Sequence, residues 1–341
     1  MNITATLLRD GGWRHAVRWL QCDPRVYQIT TLGSLLVYGV GWLGFDLPVA
    51  HAVGILITVL LTQLTATRIT RRSVFDPKSA LISGLSLCLL LRTNSLELAV
   101  ITAAIAIASK FVLRVRGKHI FNPTNFALVA MILFTGSVWV SPGQWGSTAV
   151  FGFLMASAGA LVVNRAARWD VTFTFLIAYV ALLTGRSLWL GEPFSIPLHR
   201  LESGALVLFA FFMISDPKTT PDSRNGRVLF AVLVAVGAWV VQFKLFRTNG
   251  LLWSLALFSV LVPLIDRLLP GPRYVWGCPT DLSIHTNGST NGEHHEAPHI
   301  LRHDVAPHGS SGPRGARVLR VLRREGGHEA LQSGVSGRAR P

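Results

Sequence analysis

The chain has 341 residues, of which 50% are hydrophobic and only 14% charged, well below the roughly 25% charged residues of an ordinary soluble domain. Lys and Arg number 32 against 17 Asp and Glu, giving a formal net charge of +15 with a mean hydropathy of +0.44. So much apolar surface excludes a single soluble core of this length, and the basic charge then marks membrane orientation; no nucleic-acid partner is expected.

Residues 1–28 carry Arg9, Arg14, Arg18 and Arg25 without a continuous apolar run, so they read as a cytoplasmic segment and not as a cleaved signal. Ten apolar segments follow within 29–270: 29–47, 49–64, 79–91, 98–114, 125–140, 149–163, 171–185, 203–215, 228–243 and 251–265. Several are shorter than the ~20 residues of a straight span, and charge provides an independent test. With the N-terminus inside and every segment crossing, the inside stretches hold 17 basic residues before the last segment ends and the outside loops only Arg92, Arg186, Arg200, Lys244 and Arg247. Alternation in one direction along the chain is what the positive-inside rule requires. The expectation is an all-α polytopic protein of the bacterial plasma membrane, with ten spans and both termini cytoplasmic. Its partner would be the lipid bilayer.

Residues 271–341 are rich in Gly, Ser, His, Asn and Arg, lack apolar periodicity and read as a disordered cytoplasmic tail. Cys22, Cys88 and Cys278 fit neither a disulfide nor a metal spacing, and no metal site is expected.

Ten segments divide into two halves of five, and an odd number per half places the halves in opposite orientation, as in inverted-repeat transporters. The short runs 79–91 and 203–215 are the third member of each half, where such folds keep discontinuous helices and a binding site. The first contains Ser83 and Gly84 after Asp76, Pro77 and Lys78; the second contains Ser203 and Gly204 and is followed by Asp216, Pro217 and Lys218. Small residues there serve either close helix packing or a ligand's approach to the backbone. Asn122 before Pro123 fits a helix N-terminus, and Asn122 and Asn125, with Phe121 or Phe126 beside them, offer amides and an aromatic face to a heteroaromatic ring. His51 lies near the start of its segment and Lys110 is expected to snorkel from the end of its own, so neither marks a proton relay. No phosphate loop, CxxC, HExxH or supported Ser-His-Asp order is present, which argues against a self-contained soluble-type enzyme.

At SALISG (79–84), FNPTN (121–125), the run 201–227 containing SDPKTT, and VPLID (262–266), the chain resembles the NqrB/RnfD family of membrane subunits. The resemblance implies a ten-helix, urea-transporter-like inverted repeat, flavin-linked electron transfer with ion movement, and redox partner subunits. In that family a threonine in a long external loop, within an S/T-x-A-T-like motif, esterifies FMN. Here the loop is reduced to SPGQWGST, and Thr148 lacks the Ala-Thr pair. Noncovalent FMN or riboflavin near Asn122 and Asn125 is therefore expected over a bond at Thr148. The short loop and Arg-rich tail are also similar to UnbU-type proteins, which implies an accessory role in enediyne biosynthesis. The competing reading is a flavin-free transporter or channel for a small solute on the same fold.

Overall fold

The computed structural model describes residues 23–71, 75–140 and 168–274, together with Gly159 and Val163. Helix starts follow local chemistry. Asp23 caps α1 (Pro24–Gly41), Asp76 caps α3 (Pro77–Leu90) and Asn122 caps α5 (Pro123–Thr135), each with proline in the first turn where no amide is needed. Ser95 caps α4 (Leu96–Val112). Helix α1 thus begins five residues before the expected start at 29.

Helix α2 (Val49–Ile69) buries His51, Ile55, Val59, Gln63 and Thr67, one residue per turn, and leaves Val53, Ile57 and Leu61 outward. α6 (Trp169–Leu190) likewise buries Phe175, Tyr179, Leu183 and Ser187 while exposing Phe173 and Ile177. Helices apolar on the outward face as well are made for lipid. With α9 (Arg224–Phe243), these are the three described helices long and apolar enough to cross a membrane.

Two further helix pairs qualify as bent units. α7 (Ser195–Leu201) meets α8 (Gly204–Leu208), extended by a π-helical turn over Phe209–Met213, at 51°; α10 (Gly250–Ser259) meets α11 (Val262–Leu268), also at 51°. Among the described residues, helix length and composition therefore support three to five spans, short of the expected ten. Segment 149–163, apart from Gly159 and Val163, lies outside the described residues, as do Thr148, residues 1–22 and the chain beyond Tyr274. The expected break of the third segment is real in the second half, at Glu202 and Ser203.

α3 and α5 cover only about 21 and 20 Å at 1.5 Å per residue, against about 30 Å of hydrocarbon. Each continues as extended chain. β1 (Leu91–Thr93) pairs antiparallel with β4 (Val138–Val140), Leu91 opposite Val140 and Thr93 opposite Val138, so non-helical backbone finds its partners inside the protein. Arg92, buried, donates to the carbonyls of Cys88 and Leu91 and closes the end of α3. A second ladder joins β2 (Arg114–Val115) and β3 (Lys118–His119) through Arg116 and Gly117, both at positive φ.

The packing order repeats. In the first half α2 packs on α3 and α4, and α4 on α5; in the second, α6 packs on the π turn and α9, and α9 on α10, while α5 against α10 joins the halves. Gly159 fits beside Phe211 as α1 lies against α3.

Ion pairs gather at one end of the helices. Arg25 bridges Asp23 and Asp76, Lys78 pairs with Asp23, Lys118 with Asp222 and Asp266, and Arg227 with Asp170. The opposite end holds the β1–β4 ladder, the Arg186–Glu192 pair, and Arg186 and Arg200 over the Phe243 ring. We call these the inner and outer ends; they bring together the loops that the charge alternation assigned to inside and outside.

Candidate functional site

Two cavities open toward opposite ends. The inner one, of about 60 Å³, is walled by the start of α3 (Ser79, Ser83), the end of α4 (Lys110), His119, the start of α5 (Asn122, Thr124), Met213, and the turn carrying Asp216 and Lys218. The outer one, of about 350 Å³, is walled by Leu90, Val140, Tyr179, Arg200, Ser203, Leu206, Phe209, Gln242 and the stretch 247–252. Met213, buried at the end of the π turn, lines both.

The structure thus divides the residues singled out by sequence. Ser83, Asn122, Asp216 and Lys218 converge on the inner cavity, although they come from both halves. Asn122 does three things at once: its Oδ1 accepts from the Asn125 amide, its Nδ2 donates to the Met213 carbonyl, and its side chain faces the cavity. Asn125 lies deeper, fully buried, with Nδ2 donating to the Leu252 carbonyl and Oδ1 without a partner. Phe121 packs on Phe126 at 5.0 Å and lines neither cavity. Gly84 is a packing residue: a Cβ there would stand 2.9 Å from Val59 Cγ2. Ser203 lines the outer cavity, and Gly204, buried, begins α8.

Other functional candidates gave weaker sequence signals. Lys110 does not snorkel outward: it is buried, and its Nζ donates to the Ser79 carbonyl at 2.8 Å and to Ser79 Oγ at 3.1 Å. The signal available was its position at the end of a segment opposite a short serine-bearing helix. His119 faces the same cavity; burial, with the nearby charges of Arg114 and Lys110, pushes its pKa down to about 3, so the imidazole is neutral. Burial also raises the Asp216 carboxyl above its ordinary range and lowers the Lys218 ammonium below its own, while the Asp216 charge works the other way on Lys218. Asp216 Oδ1 accepts the Lys218 amide, and Lys218 Nζ donates to the Tyr274 carbonyl.

Size separates the cavities chemically. About 60 Å³ holds a few waters or an ion. That space is smaller than a tricyclic flavin ring, and the outer cavity is the one with room for it. The outer cavity falls within the ~300–1,000 Å³ of organic-ligand sites. It has apolar walls, the Tyr179 hydroxyl bonded to Gln242 at 2.9 Å, and two arginines with no carboxylate among its described lining residues. That donor set fits an aromatic ring bearing an anionic group. Among the described residues no group of three His, Cys, Asp or Glu is placed to hold a metal.

These features define a helical membrane protein with a broken, π-turned helix between two cavities. Residues 131–274, about two fifths of the chain, match the model of the NQR2, RnfD, RnfE family. The match includes Ser203, Gly204, Asp216 and Lys218 but not Ser83, Lys110, Asn122 or Asn125. The chain is similar to a protein of Cronobacter sakazakii named as one subunit of an ion-translocating oxidoreductase complex, 30% identical over 150 residues, covering 44% of this chain and 41% of that protein. The same-named protein of Erwinia tasmaniensis is 32% identical over 143 residues, 41% of this chain and 38% of the relative. An Escherichia coli counterpart is 29% identical over 134 residues, 39% of this chain and 36% of the relative. The aligned region thus spans about two fifths of the length of these relatives.

Proposed function

We propose that this chain is an RnfD-type membrane subunit that binds a flavin in its outer cavity and passes electrons within an ion-translocating assembly of partner subunits. The observation that carries the flavin reading is the outer cavity itself, large enough for the ring and carrying Arg200 and Arg247 without an opposing carboxylate. There Arg200 and Arg247 would hold the FMN phosphate, Tyr179 and Gln242 would bond the ring edge, and Leu206 and Phe209 would keep water from its faces. The flavin supplies reversible electron acceptance, and the protein supplies position and electrostatics. The relatives' names support the assembly and the ion.

The reading includes ten crossings in two inverted five-helix repeats, supported by the repeated packing order, and both termini on the cytoplasmic side of the plasma membrane, supported by the shared sides of the charged loops. Covalent FMN at Thr148 and an enediyne-linked role rest on the sequence resemblance alone.

Purification in mild detergent followed by visible absorption tests this. Flavin that leaves the chain on denaturation supports the noncovalent reading, retention that is lost in Thr148→Ala assigns the ester to Thr148, and folded protein without flavin overturns the redox reading. A second reading, a flavin-free pathway for a small solute, is favoured by the position of Met213 between cavities that open on opposite ends.

A further inference from the structure

The inner cavity holds oxygen donors of the kind that bind hard cations: a main-chain carbonyl, a hydroxyl and a nearby carboxylate. The carbonyl and hydroxyl, both of Ser79, are already occupied by the buried Lys110 ammonium at 2.8 and 3.1 Å. Asp216 lines the same cavity, although among the described residues no direct ion pair joins it to Lys110. Neighbouring oxygens are engaged as well. The Ser83 carbonyl accepts from Thr124 Oγ1, and Asn122 Oδ1 accepts from the Asn125 amide. Arg25 and Lys218 complete the wall, and Arg114, bonded to the Lys110 carbonyl, adds another positive charge close by.

We propose that the cation of the inner cavity is the Lys110 ammonium itself, so that this site exchanges a proton with the inner end and does not take a metal cation. Ser79 takes two of the three N–H groups, leaving one for the cavity. The ammonium gives one proton to a cavity water and becomes a neutral amine, its nitrogen keeping the electron pair. Two N–H groups still bond Ser79, and Asp216 loses a facing positive charge. Reprotonation from the inner end restores the starting state. The groups facing Lys110 are Asp76 from the start of α3, Arg114 and His119 from the β2–β3 hairpin, Arg25 from α1, and Asp216 and Lys218 from the turn after the π helix. The site stands on its own geometry; only its use in transport rests on the reading of the chain as an ion-translocating subunit.

The test is the thermal unfolding midpoint of the full chain in detergent, from neutral to alkaline pH, in sodium chloride and in choline chloride. The wild type is expected to have the same midpoint in both salts and to gain stability as pH rises, because the buried ammonium sheds its proton and with it the cost of burying a charge. Lys110→Arg keeps its charge throughout and should lack this alkaline gain, as should the uncharged Lys110→Met. Should Lys110→Met fail to fold, Lys110→Arg decides alone. A sodium-specific rise in the wild type, or an undiminished alkaline gain in Lys110→Arg, overturns the proposal. Flavin absorbance is unaffected by either outcome, so failure here is distinguishable from failure of the electron-transfer reading.

Discussion

Lys118, at the tip of the β2–β3 hairpin of the first half, reaches Asp266 on the last described helix at 2.7 Å and Asp222 at 2.9 Å. One ammonium therefore closes the inner end between halves that are otherwise joined mainly through α5 and α10. All three side chains are mostly buried, so removing the cation leaves two carboxylates without a counter-charge. Lys118→Met should cost about 2–4 kcal/mol, read as a lower unfolding midpoint in detergent. Adding Asp266→Asn should recover part of that loss, whereas independent effects would add.

The depressed pKa of His119 has a definite sign. An unfolded imidazole takes up a proton below its ordinary value of about 6.5, and the folded one resists until about pH 3. The unfolded chain binds more protons in that window, so the His119 contribution to stability is complete above it and is lost as pH falls through it. His119→Phe should flatten the acid side of the stability profile relative to wild type; an unchanged profile would show that the imidazole is solvated.

Gly84 tests the packing interpretation of the Ser-Gly pair. Gly84→Ala brings a methyl against Val59 on α2 and should destabilise by about 1–3 kcal/mol. Combining it with Val59→Ala makes room and should restore part of the midpoint. A neutral Gly84→Ala would show that α2 and α3 adjust freely.

Ligand contacts and cap contacts separate by variant. Arg200→Gln with Arg247→Gln should lower flavin occupancy several-fold with little change in folding. Asn122→Ala should leave occupancy unchanged but remove the α5 cap and the bond to Met213, costing about 1–2 kcal/mol. Loss of flavin in Asn122→Ala, with occupancy intact in the arginine pair, would return the ring to the inner cavity.

Sidedness is open to labelling with a membrane-impermeant thiol reagent, in a chain whose own cysteines are replaced by serine. Arg116→Cys and Arg224→Cys should react from one face, Asn94→Cys and Thr248→Cys from the other. Labelling of Arg116→Cys and Arg224→Cys from opposite faces would overturn the topology.

Much of the scaffold was legible because its signals are local. The Asp76-Pro77 and Asn122-Pro123 caps are chemistry within one turn, and alternating charge sorted the loops into the two ends that the ion pairs later joined. The Ser-Gly pairs pointed to the right segments but not to the separate roles of Ser83, on the cavity, and Gly84, against Val59. Lys110 was misread because the direction of a lysine stem is decided by what the neighbouring helix offers, and Ser79 is 31 residues away. Met213 was silent, since an apolar side chain between two cavities looks like any other core methionine in sequence. Arg200 and Arg247 looked like ordinary loop charges until the outer ends of α8 and α10 came together around one space.

The β1–β4 ladder has a mechanical consequence. By stitching the far ends of α3 and α5, it makes two walls of the inner cavity a single lever. A change in that cavity's shape is then left to its other walls, among them the turn that follows Phe209–Met213. A π turn carries one residue more than the α-helical register needs, and passing that surplus along the chain would reposition Met213 and Asp216 without unfolding a helix.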